Sequence, residues 1–266
     1  MFLGAALRDG TAAALSYASD DLQNWRYDGI ALQRSTRETD PVWMGALLEC
    51  PQIFTIGDRA VMVSSVWDHA ALHYAGYAVG SYSEGEFHAE TWGRLTYGDS
   101  FYAPSLFIDS EGRPCLLFWM RGIQDPDDGW AGAHSVPYLL SVAGGRLVAS
   151  VHPDLDAHRR DPMSAGEVES TAADIVWSSG DGGRLLIGPG ATEISTTWEQ
   201  STVTVQTAPG GTASTAPVEG DVRIVVDGPV PEVSSAGGLL GLATGLGDAP
   251  LSIRADGGAV EVFALA

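Results

Sequence analysis

Short apolar runs separated by turn residues dominate the first part of the chain. Phe2–Leu7, Thr11–Ala18 and Trp25–Leu32 each read as a strand, parted by Arg8-Asp9-Gly10 and Ser19-Asp20-Asp21. Asp and Gly at these connections suit hairpin geometry. Ile53–Ile56 and Ala60–Val66 form a further expected hairpin across Gly57-Asp58-Arg59. His73–Tyr82, Gly93–Tyr97, Ser105–Asp109, Cys115–Met120, Leu139–Val142 and Arg146–Val151 continue the series. Closely spaced antiparallel strands of this kind suit propeller blades, which bury both faces against their neighbours. A sandwich of the same strands is the competing arrangement.

The pattern changes near Asp156–Val168, a polar stretch containing Arg159-Arg160-Asp161-Pro162 and expected to be a linker. Strands recur at Ile175–Trp177, Arg184–Ile187, Thr202–Gln206, Val222–Val226, Leu239–Ala243, Leu251–Ala255 and Ala259–Ala264. Ala208–Val218 lacks a hydrophobic period. Alternating strands at this spacing are the signature of a β-sandwich. The expected organisation is therefore all-β: a propeller remainder over 1–155, a linker over 156–168 and a sandwich over 169–266.

Composition agrees with a globular chain: 266 residues, 45% hydrophobic and 18% charged, with 33 glycines and 14 prolines. The formal net charge is −20, from 34 acids against 14 bases. Such a surface repels phosphate backbones and anionic lipid, which disfavours nucleic-acid and membrane partners. Lysine is absent, so lysine Schiff-base chemistry and a P-loop are excluded. No segment reaches the roughly 18 consecutive apolar residues of a membrane helix. With no signal peptide ahead of the first apolar run, the sequence as written reads as cytoplasmic. Cys50 and Cys115 are too few for a disulfide framework and are expected to be buried thiols.

The chemistry concentrates around Glu49-Cys50-Pro51, preceded by Trp43-Met44-Gly45 and followed by Gln52-Ile53-Phe54. A glutamate beside aromatic and apolar residues loses hydration of its charged form, which helps it hold a proton. Further along come Asp99-Ser100-Phe101-Tyr102-Ala103-Pro104, the strand carrying Trp119, and Gly129-Trp130-Ala131-Gly132-Ala133. Upstream stands Ser19-Asp20-Asp21-Leu22-Gln23-Asn24-Trp25, and near the end Glu261-Val262-Phe263. In order and spacing these elements resemble glycoside hydrolase family 32, the invertases, levanases and inulinases.

That resemblance implies a five-bladed propeller followed by a sandwich, and retaining hydrolysis of terminal fructofuranosides such as sucrose or fructans. It makes Glu49 the general acid/base and Trp43, Cys50, Asp99, Tyr102 and Trp119 the substrate-binding candidates, with Tyr102 and Trp119 lining the sugar pocket. It implies no cofactor and no metal. Two departures flank the catalytic position: Leu48 stands where tryptophan is usual and Gln52 where aspartate is frequent. The family's nucleophile lies in an Asn-Asp-Pro-Asn element, whereas the one asparagine here, Asn24, has a different context. Its third acid lies in an Arg-Asp-Pro element. Arg8-Asp9-Gly10 lacks the proline, and Arg160-Asp161-Pro162 falls beyond the last propeller strand.

The expectation is then a hydrolase missing its first blade and part of its second, inactive as this truncated chain. A non-catalytic fructoside-binding remnant is the alternative, and a related five-bladed hydrolase of arabinosides or xylosides is an outsider.

Other constellations are weaker. His69 and His73 stand four apart on what reads as a strand and its lead-in, which suits surface or packing roles better than a metal face. Asp125-Pro126-Asp127-Asp128 lacks the spacing of a calcium loop.

Overall fold

The computed structural model describes residues 1–125, 128–178, 182–188, 194–207, 211–244, 246 and 249–266. The acidic turn at 125–128 therefore lies partly outside the described residues. The described chain is all-β apart from one short 3-10 helix, Pro153–His158.

Three antiparallel strands open it: β1 (Phe2–Ala6), β2 (Thr11–Ala18) and β3 (Arg26–Ser35), in the order β1-β2-β3. Gly10, at φ +83°, supplies the left-handed residue that closes the first turn. The second turn is held by its own side chains. Asp21 Oδ1 accepts from the backbone N–H groups of Asn24 at 2.7 Å and Gln23 at 2.9 Å, and Oδ2 accepts from the Asn24 amide at 2.7 Å. These donors, the Asn24 backbone first, hold the Asp21 carboxyl well below the usual carboxylate range.

A four-stranded meander follows: β4 (Leu47–Ile56), β5 (Arg59–Asp68), β6 (Ala71–Ser83) and β7 (Glu86–Arg94). β5 is buried from Ala60 to Val66, so both of its faces are covered and its apolar residues run nearly uninterrupted. Ala12 and Ala14 of β2, Leu48 of β4, Met62 and Val66 of β5 and Ala78 of β6 join one apolar cluster. Small residues permit the close approach. A Cβ added to Gly4 of β1 would stand 1.9 Å from the Leu48 carbonyl oxygen.

The later strands are β8 (Thr96–Tyr97), β9 (Phe101–Ile108), β10 (Pro114–Asp125), β11 (Trp130–His134), β12 (Tyr138–Ala143) and β13 (Arg146–Val151). One sheet runs β11-β10-β12-β13, with β9 also paired to β10. The sequence reading began β4 and β9 too late. β4 extends back to Leu47, and β9 takes in Phe101 to Pro104. Proline in both segments hides them from a strand pattern.

Ten further strands complete the chain: β14 (Ala172–Ser178), β15 (Gly183–Ile187), β16 (Ile194–Glu199), β17 (Thr202–Thr207), β18 (Ala213–Pro217), β19 (Val222–Asp227), β20 (Val230–Ser235), β21 (Gly238–Gly241), β22 (Ile253–Asp256) and β23 (Ala259–Ala264). They form a sheet β23-β14-β19-β20-β21-β8 and a sheet β18-β17-β16-β15-β22. Trp177, Ile175 and Ile224 of the first share a core with Leu185, Trp198 and Val205 of the second. β16, β18 and β20 had no counterpart in the strands expected from sequence. β18 is small-residue chain that gains order from pairing along β17. The stretch 156–168 lies against the strands: Arg159 bridges Leu265, Met163 bridges Val262 and Glu167 bridges Ser252.

The chain divides into two compact units, the first comprising Met1–Leu95, Tyr102–Phe118 and Leu140–Val148. The second comprises Thr96–Phe101, Trp119–Leu139 and Ala149–Ala266.

Two buried ionisable groups brace the second unit. Asp174, fully buried, accepts from Arg159 Nε at 2.7 Å and from Arg223 Nη2 at 2.6 Å. Glu232, also buried, accepts from Tyr138 Oη at 2.7 Å and Val136 N at 2.9 Å. Burial pushes the Glu232 pKa up to about 8 against these two bonds.

Candidate active site

Glu49 sits at a β-bulge. It is paired with Ser65, and the next register pair is Gln52 with Val63, so β4 carries one residue more than β5 across this interval. Cys50 takes up the bulge in the left-handed region, at φ +50°. The irregularity also accommodates Pro51, which has no N–H to give to a ladder. A Glu-Cys-Pro sequence inside a strand thus turns the Glu49 side chain out of the regular alternation.

The Tyr102 hydroxyl donates to Glu49 Oε2 at 2.5 Å. Glu49 Oε1 has no hydrogen-bond partner among the described residues. One carboxyl oxygen is thus anchored and the other is not. Tyr102 itself is buried, at 3% exposure. Its role therefore differs from the sugar-stacking ring expected from sequence: it holds the carboxyl through its hydroxyl.

The segment that delivers Tyr102 is tied to the meander by side chains. Ser65 Oγ, across the ladder from Glu49, accepts from Ala103 N at 3.0 Å. Ala103 is at φ +46°, so its N–H is turned to a side chain in place of a regular ladder partner. The Gln52 amide accepts from Leu106 N at 2.7 Å and donates to the Pro104 carbonyl. Gln52, noted in the sequence only as a departure, is thus a structural clamp. Ser65 was missed altogether, since a serine in an apolar strand carries no local signal.

The remaining candidates are placed as follows. Cys50 is an exposed residue, which corrects the expected burial, while Cys115 is buried. Partial burial and then the neighbouring Glu49 charge push the Cys50 thiol pKa up. Trp43 is engaged in packing: its Nε1 donates to Thr36 O at 3.0 Å, its ring meets His73 edge-on at 5.2 Å, and its carbonyl accepts from Tyr74 at 2.6 Å. His73 is accordingly a packing residue, and His69 is an exposed side chain bonded to Asp68 at 2.6 Å.

Asp99 and Trp119 belong to the second unit. Asp99 is exposed on the short link between β8 and β9. Trp119, 44% exposed, lies across the sheet from His134. Its indole fills the space over Gly132, where an added Cβ would come within 2.7 Å of Nε1. Trp119, Gly132 and His134 line a hollow of about 310 Å³. Arg160-Asp161-Pro162 is exposed beside β23, with Arg160 N bonded to Ala264 O at 2.9 Å.

The Glu49 carboxyl is thus anchored at a strand bulge on an all-β frame. Solved structures share the frame. The GH32 beta-fructofuranosidase BmSUC1 of Bombyx mori superposes with a TM-score of 0.81 at 21% identity, covering 99% of this chain and 62% of that one. Fructan 1-exohydrolase IIa of Cichorium intybus superposes with a TM-score of 0.72 at 17% identity, covering 98% and 68%.

Residues 1–151 match the family model described as Glycosyl hydrolases family 32 N-terminal domain. The chain belongs to glycosyl hydrolase family 32. Among its relatives, the sucrose-6-phosphate hydrolase of Bacillus subtilis (strain 168) is 28% identical over 178 residues, 60% of this chain and 36% of that protein. The raffinose invertase of Escherichia coli is 24% identical over 200 residues, 70% and 41% of the two chains. The matched stretch thus spans well under half the length of these relatives. Among the described residues no helix is long and apolar enough to cross a membrane.

Proposed function

We propose that this chain supplies the acid/base side of a retaining glycosidase acting on terminal fructofuranosides, sucrose or a fructan. The observation that carries the reading is the Glu49 carboxyl, anchored at Oε2 by Tyr102 and, among the described residues, unpartnered at Oε1. In the first step Glu49 gives its proton to the leaving glycosidic oxygen while a second carboxylate attacks the anomeric carbon. In the next, Glu49 takes a proton from water, which releases the sugar from that carboxylate.

Such chemistry requires the two carboxyls about 5–5.5 Å apart. The Asn-Asp-Pro element that the resemblance assigns to the attacking group is not among these 266 residues. Cys50, next to Glu49 in sequence, and Trp43 are the further substrate-binding candidates of the first unit, and Asp99 and the half-exposed Trp119 are those of the second. The proposed organisation is the later part of a five-bladed propeller over 1–155, a connection over 156–168 and a sandwich over 169–266. The core shared by the last two sheets supports the sandwich.

The second reading is that the chain binds fructosides without cleaving them. Both are tested by fructose release and binding calorimetry with sucrose, sucrose 6-phosphate, inulin and arabinan, on the wild type and Glu49→Gln. Release that Glu49→Gln abolishes supports the hydrolase. Binding without release supports the second reading. A chain that neither binds nor cleaves any fructoside sinks both, and release from arabinan alone points to the outsider activity.

A further inference from the structure

Within the first unit, β3 and β7 are each the terminal strand of their sheet, and a groove of about 780 Å³ runs along both. It shares no residue with the surroundings of Glu49: Ser65, Gln52 and Tyr102 are all absent from its walls. We propose that this groove is a second carbohydrate-binding site, which takes a neutral oligosaccharide.

The walls combine rings with unspent polar groups. Tyr27, 53% exposed, rests on Tyr17 with ring centroids 5.3 Å apart, so a half-open aromatic face is held in place from behind. Trp92 is fixed by the Arg34 guanidinium, whose central carbon lies 4.5 Å from the ring centroid. Arg34 is in turn locked by bonds from Nη2 to Asp40 O at 2.7 Å and Val42 O at 3.0 Å. Rigid aromatic surface of this kind covers the apolar faces of sugar rings at low entropic cost.

Gln33, Glu86 and His88 line the groove as exposed residues and make no side-chain hydrogen bond or ion pair among the described residues. Together they offer donors and acceptors to hydroxyls. Arg34 Nε, buried in the wall, also lacks a hydrogen-bond partner among the described residues; Glu38 Oε2, the nearest carboxylate oxygen, stands 3.8 Å away. That atom is covered by the protein, so the groups open to a ligand are those of Gln33, Glu86 and His88.

Charge selects among ligands. Glu38 and Glu86 line the groove with one fixed cation, Arg34, whose guanidinium is already committed to carbonyls and a ring. Phosphorylated and other anionic ligands are therefore repelled. A neutral, hydroxyl-rich chain suits a groove that sets two aromatic rings beside uncharged and acidic hydrogen-bonding side chains, and the groove volume falls in the range of small-molecule sites. That the sugar is a fructan rests on the fructoside reading of Glu49; that it is a sugar does not.

The test is calorimetry with nystose and, separately, xylotetraose on the full chain and on Tyr27→Ala, His88→Ala and Glu49→Gln. Tyr27 and His88 are exposed, so these variants spare the core. Nystose binding that weakens about tenfold in Tyr27→Ala or His88→Ala and persists in Glu49→Gln supports the site. Xylotetraose binding with the same dependence supports the groove while counting against its fructan assignment. Nystose binding lost only in Glu49→Gln, or no binding of either sugar by the wild type, overturns the proposal.

Discussion

The Tyr102 hydroxyl meets Glu49 Oε2 at 2.5 Å although the two residues are 53 positions apart. Bulge and clamp make this meeting possible. The extra residue in β4 turns Glu49 out, while Ser65 and Gln52 hold the strand that brings Tyr102 in. The orientation of the Glu49 carboxyl is thus a property of two strands that are not neighbours in sequence.

Tyr102→Phe removes that anchor and leaves the ring in place. Hydrogen bonds to charged groups contribute roughly 1.5–3 kcal/mol, so denaturant unfolding of Tyr102→Phe is expected to show a loss near the lower end. In a double-mutant cycle with Glu49→Gln, the coupling energy is expected to exceed about 0.5 kcal/mol. Purely additive losses would show that the bond does not form.

Gln52→Glu tests the clamp. The substituted carboxylate still accepts from Leu106 N but cannot donate to the Pro104 carbonyl, and it places a negative charge against that oxygen. A stability loss of about 1–3 kcal/mol follows from the orphaned acceptor and the repulsion. Urea midpoints measured at neutral pH decide the matter; an unchanged midpoint rules the clamp out.

Gly4→Ala tests the close approach of β1 to β4. The new Cβ would lie 1.9 Å from backbone, the Leu48 carbonyl oxygen, which a rotamer change cannot relieve. The expected cost is about 1–3 kcal/mol or more. Gly166→Ala is the control, because its nearest neighbour would be 3.9 Å away. Equal melting temperatures for the two variants would contradict the packing described.

Glu232 makes stability depend on pH. Its folded pKa, about 8, is raised above the ordinary value of 4.5. In the window between them the folded chain holds a proton that the unfolded chain has released. The group's contribution is thus fully present below about pH 4.5 and is lost as pH rises through 8. Urea unfolding between pH 5 and 9, in steps of about one unit, is expected to show wild-type stability falling more steeply than that of Glu232→Gln. Gln keeps an acceptor for Val136 N and does not titrate. Parallel slopes would remove Glu232 as the cause.

Much of the strand framework was legible in the sequence, which also spelled out the candidate acid. Gly10 and the Ser19–Trp25 turn announced the first two connections because turns are set by residues next to one another. Glu49-Cys50-Pro51 marked the candidate acid by its own spelling. Asp99 and Trp119 are exposed, whereas Tyr102 proved to be a buried anchor and Cys50 an exposed thiol. Period-two alternation places a residue on a face; it does not say what covers that face.

Tertiary structure alone decided the rest. Val230–Ser235 does not look like a buried strand while it carries Pro231 and Glu232, yet the Tyr138 hydroxyl and Val136 N–H, more than ninety positions away, satisfy the glutamate there. The groove along β3 and β7 likewise exists only because two sheet edges lie side by side within the first unit. Local propensity acts over a few residues and so writes strands and turns into the sequence. Which distant side chain completes a hydrogen bond depends on the packed arrangement of many strands at once, and no short stretch of chain encodes it.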